Sequence, residues 1–327
     1  MRYLTIQNER DTFQVSGLVL GSNYFGTVIS ESDSFAMMDY FFEHQGNCID
    51  TARSYANWLP DGESASERMV GRWMRGVERD KVVISTKGGL PDGINQNPGA
   101  PVVSRITRKD LYEDLSKSLD VLGTDYIDLY WLHRDDPGTP VGEIVELVNE
   151  FIQKGYVRAV GASNWSVERI AEANAYAKRH GLSGFSMSQI QWSLASCTPE
   201  SWGDDTLICM NDEEYRWYLE NKFPVMAFSS QAKGIFSKSI EQGMDSLSEK
   251  VRTRFLNESN IRRIERVRVL CDRYGVSPAT VCLSYILSNP VPGAAIIGCS
   301  NPSQLADSMR SGDFVLSMED IQYLTQD

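Results

Sequence analysis

Three histidines in 327 residues, none spaced with a cysteine as metal ligands are, leave this chain without a metal-binding signature. The six cysteines, at 48, 197, 209, 271, 282 and 299, form no C-x-x-C pair. Most lie among apolar neighbours, where a thiol behaves as a small hydrophobe, so they are read as reduced and mainly structural. Clustered Lys/Arg runs are absent too. With a formal charge of −12, this excludes the basic patch that nucleic acid would require. No apolar stretch is long enough to span a bilayer, and the N-terminus turns polar soon after Met1-Arg2-Tyr3-Leu4 without a signal-peptide core. A cytoplasmic protein without membrane contact is expected. Finally, no G-x-G-x-x-G follows the first strand and no Walker sequence occurs, which removes the usual marks of a nucleotide-binding doubly wound sheet.

What is present is an alternation. After an N-terminal hairpin pattern (residues 3–8 and 12–14), short apolar runs recur at 17–21, 47–50, 81–86, 126–132, 157–160, 186–190, 225–228 and 294–297. Amphipathic stretches separate them. Thr107-x-x-Asp110 opens one helix as a capping box, Ser277-Pro278 starts another with Pro at the first helical position, and Gly46, Gly181 and Gly275 close three. Residues 237–260 read as a polar excursion, and Asn301-Pro302 opens a last helix. Short, nearly all-apolar strands suit a parallel sheet buried on both faces. The eight-fold repetition predicts an α/β fold, a (β/α)8 TIM barrel forming a single domain over residues 1–327 with an N-terminal β-hairpin. The loop from Gly88 to Ile106 lacks periodicity and is long enough to expect a functional role.

In such a barrel the C-terminal ends of the strands face the active site. Those ends deliver Asp50, Lys87 and His133, with Tyr55 in the loop after the first. Singly, each has an ordinary explanation: a turn aspartate, a surface lysine, a core histidine, a packed tyrosine. One constellation accounts for all four. A phenol of pKa about 10 is a poor acid near neutrality, and a nearby ammonium favours its ionised form. Lowering that pKa by about two would take roughly 2.7 kcal/mol, within reach of one close buried cation. Asp50 would hold Lys87, and His133 would orient a carbonyl oxygen.

Asp50-Thr51-Ala52-x-x-Tyr55, Ser66-Glu67, Ser85-Thr86-Lys87, Asp125-Tyr126-x-Asp128-Leu129-x-x-x-His133 and Gly161-Ala162-Ser163-Asn164 together resemble the aldo-keto reductases, from about Gly17 to the last helix. The resemblance implies a nicotinamide cofactor bound without a Rossmann domain. It makes Tyr55 the general acid, with Lys87 tuning it, Asp50 pairing Lys87 and His133 positioning the substrate. Ser163, Asn164 and Gln189 then match groups that bind the carboxamide, and Phe228 the ring stacked on the nicotinamide. Ser22 is carried over as a further cofactor contact. Ser229, Gln231 and Gly234 resemble the pyrophosphate loop, and Gly298, Ser300, Gln304 and Asp307 the adenosine end. NADP(H) is preferred on this resemblance, and NAD(H) stays open because Cys299 stands where many members carry Lys or Arg.

The expected partner is a small-molecule carbonyl or alcohol, polar or sugar-like, met at the mouth by Tyr24, Phe25, Trp58 and Arg134, with Asp135 and parts of the 88–106 loop. Two alternatives remain from the residues alone. One is a cofactor-binding regulatory protein of the same fold, and the other a Schiff-base barrel enzyme with Lys87 as nucleophile. Oligomeric state is not encoded in any motif.

Overall fold

Eight short strands whose residues are nearly all buried need cover on both faces, and closing the sheet on itself provides it. The structure, a computed structural model, describes residues 1–94 and 102–326. Residues 95–101 of the predicted 88–106 loop lie outside the described residues. The chain starts with a two-stranded antiparallel hairpin, β1 (Tyr3–Gln7) and β2 (Thr12–Ser16). Then come β3 (Leu18–Gly21), β4 (Cys48–Asp50), β5 (Val83–Gly88), β6 (Ile127–Leu132), β7 (Val157–Ser163), β8 (Ser188–Gln191), β9 (Val225–Phe228) and β10 (Gly293–Ile297). These pair in parallel in chain order, and β10 returns to pair with β3, so the barrel is closed. Helices lie outside the strands, giving the (β/α)8 architecture the sequence predicts.

Two apolar clusters follow from the period-2 alternation of strand side chains. The larger lies between strands and helices. The smaller fills the barrel: Val19, Cys48, Val83, Leu129, Trp131, Ala159, Met187 and Met226 project inward, and Ile6, Phe13 and Val15 of the hairpin join them. The hairpin therefore plugs one end. At that end the buried Asp128 accepts from Arg79 Nη2 and Arg158 Nη1, each at 2.7 Å, and from the Ile84 N–H at 2.9 Å. The other end stays polar.

Several boundaries differ from the sequence expectation for identifiable reasons. β5 runs to Gly88 and β7 to Ser163, beyond the predicted 86 and 160, because their polar last residues still pair in the ladder although they interrupt the apolar run. Gly46 does not supply the left-handed residue after the first helix (Glu31–Glu43); Gln45 does, with φ 68°. Gly46 is instead a close-approach site, since a Cβ there would fall 2.3 Å from the Phe41 ring. The polar stretch 237–260 is largely helical, with helices Ile235–Gln242, Glu249–Phe255 and the start of Glu258–Tyr274. The helix at Pro302–Met309 is not the last: Met318–Thr325 follows, opened by a capping box between Ser317 and Asp320. No helix among the described residues is long and apolar enough to cross a membrane.

Gly161 fixes the barrel interior at one point. A Cβ there would lie 2.3 Å from the Trp131 ring, which is fully buried across β6 and β7. Gly161→Ala is expected to cost about 1–3 kcal/mol through overpacking. The check is the urea midpoint, which should fall; an unchanged midpoint would contradict this packing.

Candidate active site

The same alternation that buries Val83 and Leu129 inside the barrel carries Ser85 and Lys87 on β5, and Trp131 and then His133 on and just past β6, to the inner face at the open end. Cys48 and Asp50 do the same on β4. Pairing does not stop at Asp50: the Thr51 N–H donates to Ser85 O at 2.8 Å and the Arg53 N–H to Lys87 O at 3.0 Å. The loop after β4 is thereby laid along β5. A turn in which the Tyr55 N–H donates to Ala52 O at 3.1 Å brings the phenol back over Lys87.

Lys87 Nζ donates to Asp50 Oδ2 at 2.6 Å, to Thr51 O at 2.9 Å and to the Tyr55 hydroxyl at 2.9 Å. Tyr55 in turn donates to Asp50 Oδ2 at 3.3 Å. The other carboxylate oxygen accepts from Ser85 Oγ at 2.7 Å and Gln189 Nε2 at 3.1 Å, and Ser85 accepts from Trp131 Nε1 at 2.7 Å. Every donor of the ammonium is used. The His133 ring stands edge-on to Tyr55, centroids 6.1 Å apart, and its buried Nδ1 has no partner among the described residues.

The electrostatics differ from the sequence expectation. Burial and the Asp50 carboxylate push the Tyr55 phenol well above its ordinary value of 10.0 rather than below it. The reason is that Lys87 is not a free cation: paired with Asp50, it presents a dipole, and desolvation of a phenolate dominates. Burial lowers the Lys87 pKa while Asp50 opposes the loss of its proton. Burial, then Arg134 and Lys87, hold the His133 pKa well below 6.5. The site at rest is thus a protonated phenol, a paired ammonium and a neutral imidazole.

The predicted cofactor residues form an arc over β7 to β10. Ser163, Asn164 and Gln189 end β7 and β8 together. Asn164, with φ 58°, donates to Ser163 Oγ at 3.1 Å and accepts from the Ile208 N–H at 3.2 Å. Phe228 ends β9, half-buried and edge-on to Trp202, ring centroids 6.3 Å apart. Beyond it, Ser229, Ala232, Lys233 and Gly234 all have positive φ, a backbone form found where amides gather around anions. Gln231 donates to Ser308 Oγ at 3.3 Å, and a Cβ at Gly298 would meet nothing within 4 Å, so the backbone there is open to close approach. Gln304 accepts from the Ser300 N–H at 2.9 Å. Hydroxyl and amide side chains at one end, and an open glycine with a strained loop at the other, line this arc.

Four placements depart from expectation. Phe25 is fully buried in the core and cannot meet substrate; its N–H bonds to Ser22 O and its backbone bridges to Ile29, which turns the ring inward. Ser22 is likewise buried, its hydroxyl on Asp50 O at 2.9 Å and Ser66 Oγ at 2.8 Å, so it braces the site from behind. Asp307 accepts from Ser277 Oγ at 2.8 Å and Asp135 pairs with Arg169 at 2.9 Å, so both carboxylates are engaged within the protein. Tyr24 and Trp58 are exposed at the mouth, and Trp58 lines a cavity of about 350 Å³ with Asn57, Lys87, Gly88, Asp92 and Arg105. Arg134 is buried, held by Asp204 at 3.2 Å, Thr206 at 2.9 Å and His133 O at 2.8 Å.

Sequence reasoning missed Ser85 as an Asp50 partner, although its position two residues before Lys87 on one strand carries that signal. It also missed Lys233 of the strained loop, whose charge burial and then the nearby Arg254, Lys250 and Lys238 disfavour, and Trp202, Asp204 and Thr206, in and just after a single helical turn (Pro199–Trp202) too short to show a period. Among the described residues no group of three or more His, Cys, Asp or Glu could hold a metal.

The sequence model of the Aldo/keto reductase family matches residues 17–326. An uncharacterized oxidoreductase, YrpG, of Bacillus subtilis (strain 168) is 29% identical over 320 residues, covering 96% of this chain and 93% of that protein. A norsolorinic acid reductase, stcV, of Emericella nidulans is 29% identical over 324 residues, 94% of this chain and 77% of that one. A probable voltage-gated potassium channel subunit beta of Arabidopsis thaliana is 26% identical over 304 residues, 89% and 85%.

A depressed His133 pKa has a defined effect on stability. Below pH 6.5 the unfolded chain takes up a proton that the folded site refuses, so this contribution is present above 6.5 and is lost as pH falls toward the folded value. In His133→Gln the decline in urea stability between about pH 6.5 and pH 5 should be shallower than in the wild type. An identical slope would contradict the buried, neutral imidazole.

Proposed function

The chain belongs to the Aldo/keto reductase family, a family of oxidoreductases, and we propose that it reduces an aldehyde or ketone to the alcohol, or runs the reverse, with Tyr55 as general acid and base. The observation that carries this reading is the contact of the Tyr55 hydroxyl with Lys87 Nζ at 2.9 Å, inside a site where His133 stands beside the phenol. Tyr55 is held protonated at rest, as a proton donor must be. As it gives its proton to a carbonyl oxygen, negative charge develops against an ammonium already oriented by Asp50 and Thr51. That charge is stabilised in the transition state more than in the resting phenol, which is what catalysis requires. Neutral His133 orients the carbonyl oxygen without adding a second charge.

A bound nicotinamide cofactor supplies the hydride at this site. Ser163, Asn164 and Gln189 would hold its carboxamide and Phe228 would meet the ring face. Ser229, Gln231 and Gly234 would lie along the phosphates, with Lys233, Lys238 and Arg254 supplying positive charge in a chain of net charge −12. Gly298, Ser300 and Gln304 would line the adenosine end. NADP(H) is the preferred form on family resemblance, supported by those cations, although buried Cys299 brings no charge of its own. The charged and polar lining of the cavity beside Trp58 supports a polar, sugar-like carbonyl.

Tyr55→Phe should bind the cofactor as the wild type does and lose turnover by about 10²–10⁴-fold; near-normal kcat in that variant would sink the assignment. Fluorescence titration should show tighter binding of NADPH than NADH, followed by turnover of sugar aldehydes ahead of apolar aromatic ketones. The opposite orders would overturn the cofactor and substrate choices. Cofactor binding without turnover of any carbonyl would favour a regulatory role instead.

A further inference from the structure

Two thiols meet just outside this site. Gln191 closes β8, and its backbone pairs with the segment around Cys209: its N–H donates to Ile208 O at 3.0 Å and its carbonyl accepts from the Met210 N–H at 2.8 Å. Between them the chain leaves the barrel and comes back, so that Cys197 lies against Cys209, sulfurs 3.5 Å apart. Their meeting is not incidental contact between mobile side chains. The Ser196 N–H and carbonyl are both bound by the Asn260 side chain, at 2.9 and 2.8 Å, and Cys197 Sγ donates to Gln191 Oε1 at 3.0 Å. The Trp202 indole N–H donates to Cys197 Sγ at 3.2 Å, and Arg254 lies over the Trp202 ring at 4.0 Å.

We propose that Cys197 and Cys209 form a peroxide-oxidisable thiol pair whose disulfide locks the segment between β8 and residue 211 onto the open end of the barrel. The Cys197 thiolate attacks one oxygen of hydrogen peroxide. An S–O bond forms, the O–O bond breaks, and the departing hydroxide is protonated to water, leaving a sulfenic acid. Cys209 then attacks that sulfur: the S–S bond forms, the S–O bond breaks, and the Cys209 proton leaves with the hydroxyl as a second water. Two electrons pass from the thiols to the peroxide. A disulfide needs sulfurs about 2.05 Å apart, so the pair must close by about 1.5 Å.

Several features single out this pair. The Cys209 thiol, the Trp202 N–H and Arg254 hold Cys197 below the ordinary thiol value although burial opposes them, while its contact with Cys197, and burial, keep the proton on Cys209. Cys197 is only half-buried. Cys48 and Cys282 are fully enclosed with thiols pushed well up, and burial raises Cys271 and Cys299 to about 11. The segment the disulfide would close holds Trp202, edge-on to Phe228, and Asp204 and Thr206, which position Arg134. Oxidation therefore acts on side chains that border the site, whatever reaction the site performs.

The test treats the reduced full-length protein with hydrogen peroxide, blocks remaining thiols with iodoacetamide and maps peptides by mass spectrometry. The expected product links Cys197 to Cys209 within one chain and is reversed by dithiothreitol. Cys209→Ser should stop at a sulfenic acid on Cys197 that dimedone traps, and Cys197→Ser should give neither product. Amide hydrogen exchange over residues 198–208 should be about tenfold slower in the oxidised protein. Initial oxidation of another cysteine, a disulfide with any other partner or between chains, or no dimedone adduct in Cys209→Ser would overturn the pair. Unchanged exchange would overturn the locking.

Discussion

The open end of this barrel depends on one buried ion pair, Lys87 with Asp50. Removing two charges from water costs several kcal/mol per ion, and the pair is tolerated only where further hydrogen bonds satisfy both groups. Here they do: Thr51 O and the Tyr55 hydroxyl take the remaining ammonium protons, and Ser85 and Gln189 cover the second carboxylate oxygen. Trp131 is tied to the same carboxylate through Ser85, and Gly161 leaves space for its ring. Residues of four strands are thus committed to a single pair of charges. Such a cluster holds the Tyr55 phenol at the end of the barrel, where the His133 ring stands edge-on to it.

The two ends divide the labour. At one, the hairpin plug and the Asp128 network with Arg79 and Arg158 close the interior. At the other, the backbone itself is strained. Ala56, Asn164, Ser229, Ala232 and Lys233 have positive φ without being glycine, and all lie in segments that follow strand ends at the site. Gln45 and Lys222, by contrast, are ordinary left-handed residues where helices stop. Strain held at the strand ends and absorbed by the barrel below is the distribution expected of a functional face.

Much of the fold was legible because its signals are local. Apolar runs of strand length, Ser166 and Ser277 as helix caps and Gly181 and Gly275 as helix stops all express physics within a few residues. The failures have the same explanation reversed. β5 and β7 go on pairing past the apolar run, to Gly88 and Ser163, Gly46 is a glycine because of Phe41 rather than because of a cap, and the helices of 235–258 are too short and polar to show a period. Phe25 looked like a mouth residue because aromatic type says nothing about which way a turn directs the ring.

Sequence alone determined that the chain would close eight parallel strands around a core and that Asp50, Tyr55, Lys87 and His133 would be candidates at the strand ends. Strand ends are set by local alternation, and residue type limits what chemistry each position can carry. Only the tertiary structure decided the state of those groups. Whether Lys87 acts as a free cation or half of a dipole depends on Asp50, 37 positions away in the chain, and with it the direction in which the Tyr55 phenol is shifted. The pairing of Cys197 with Cys209 was equally invisible, because two thiols 12 residues apart in an aperiodic loop meet only when Gln191 and Asn260 fix both sides of it. Electrostatic and redox character depend on distance through space and on exclusion of water, and neither is written in the order of residues.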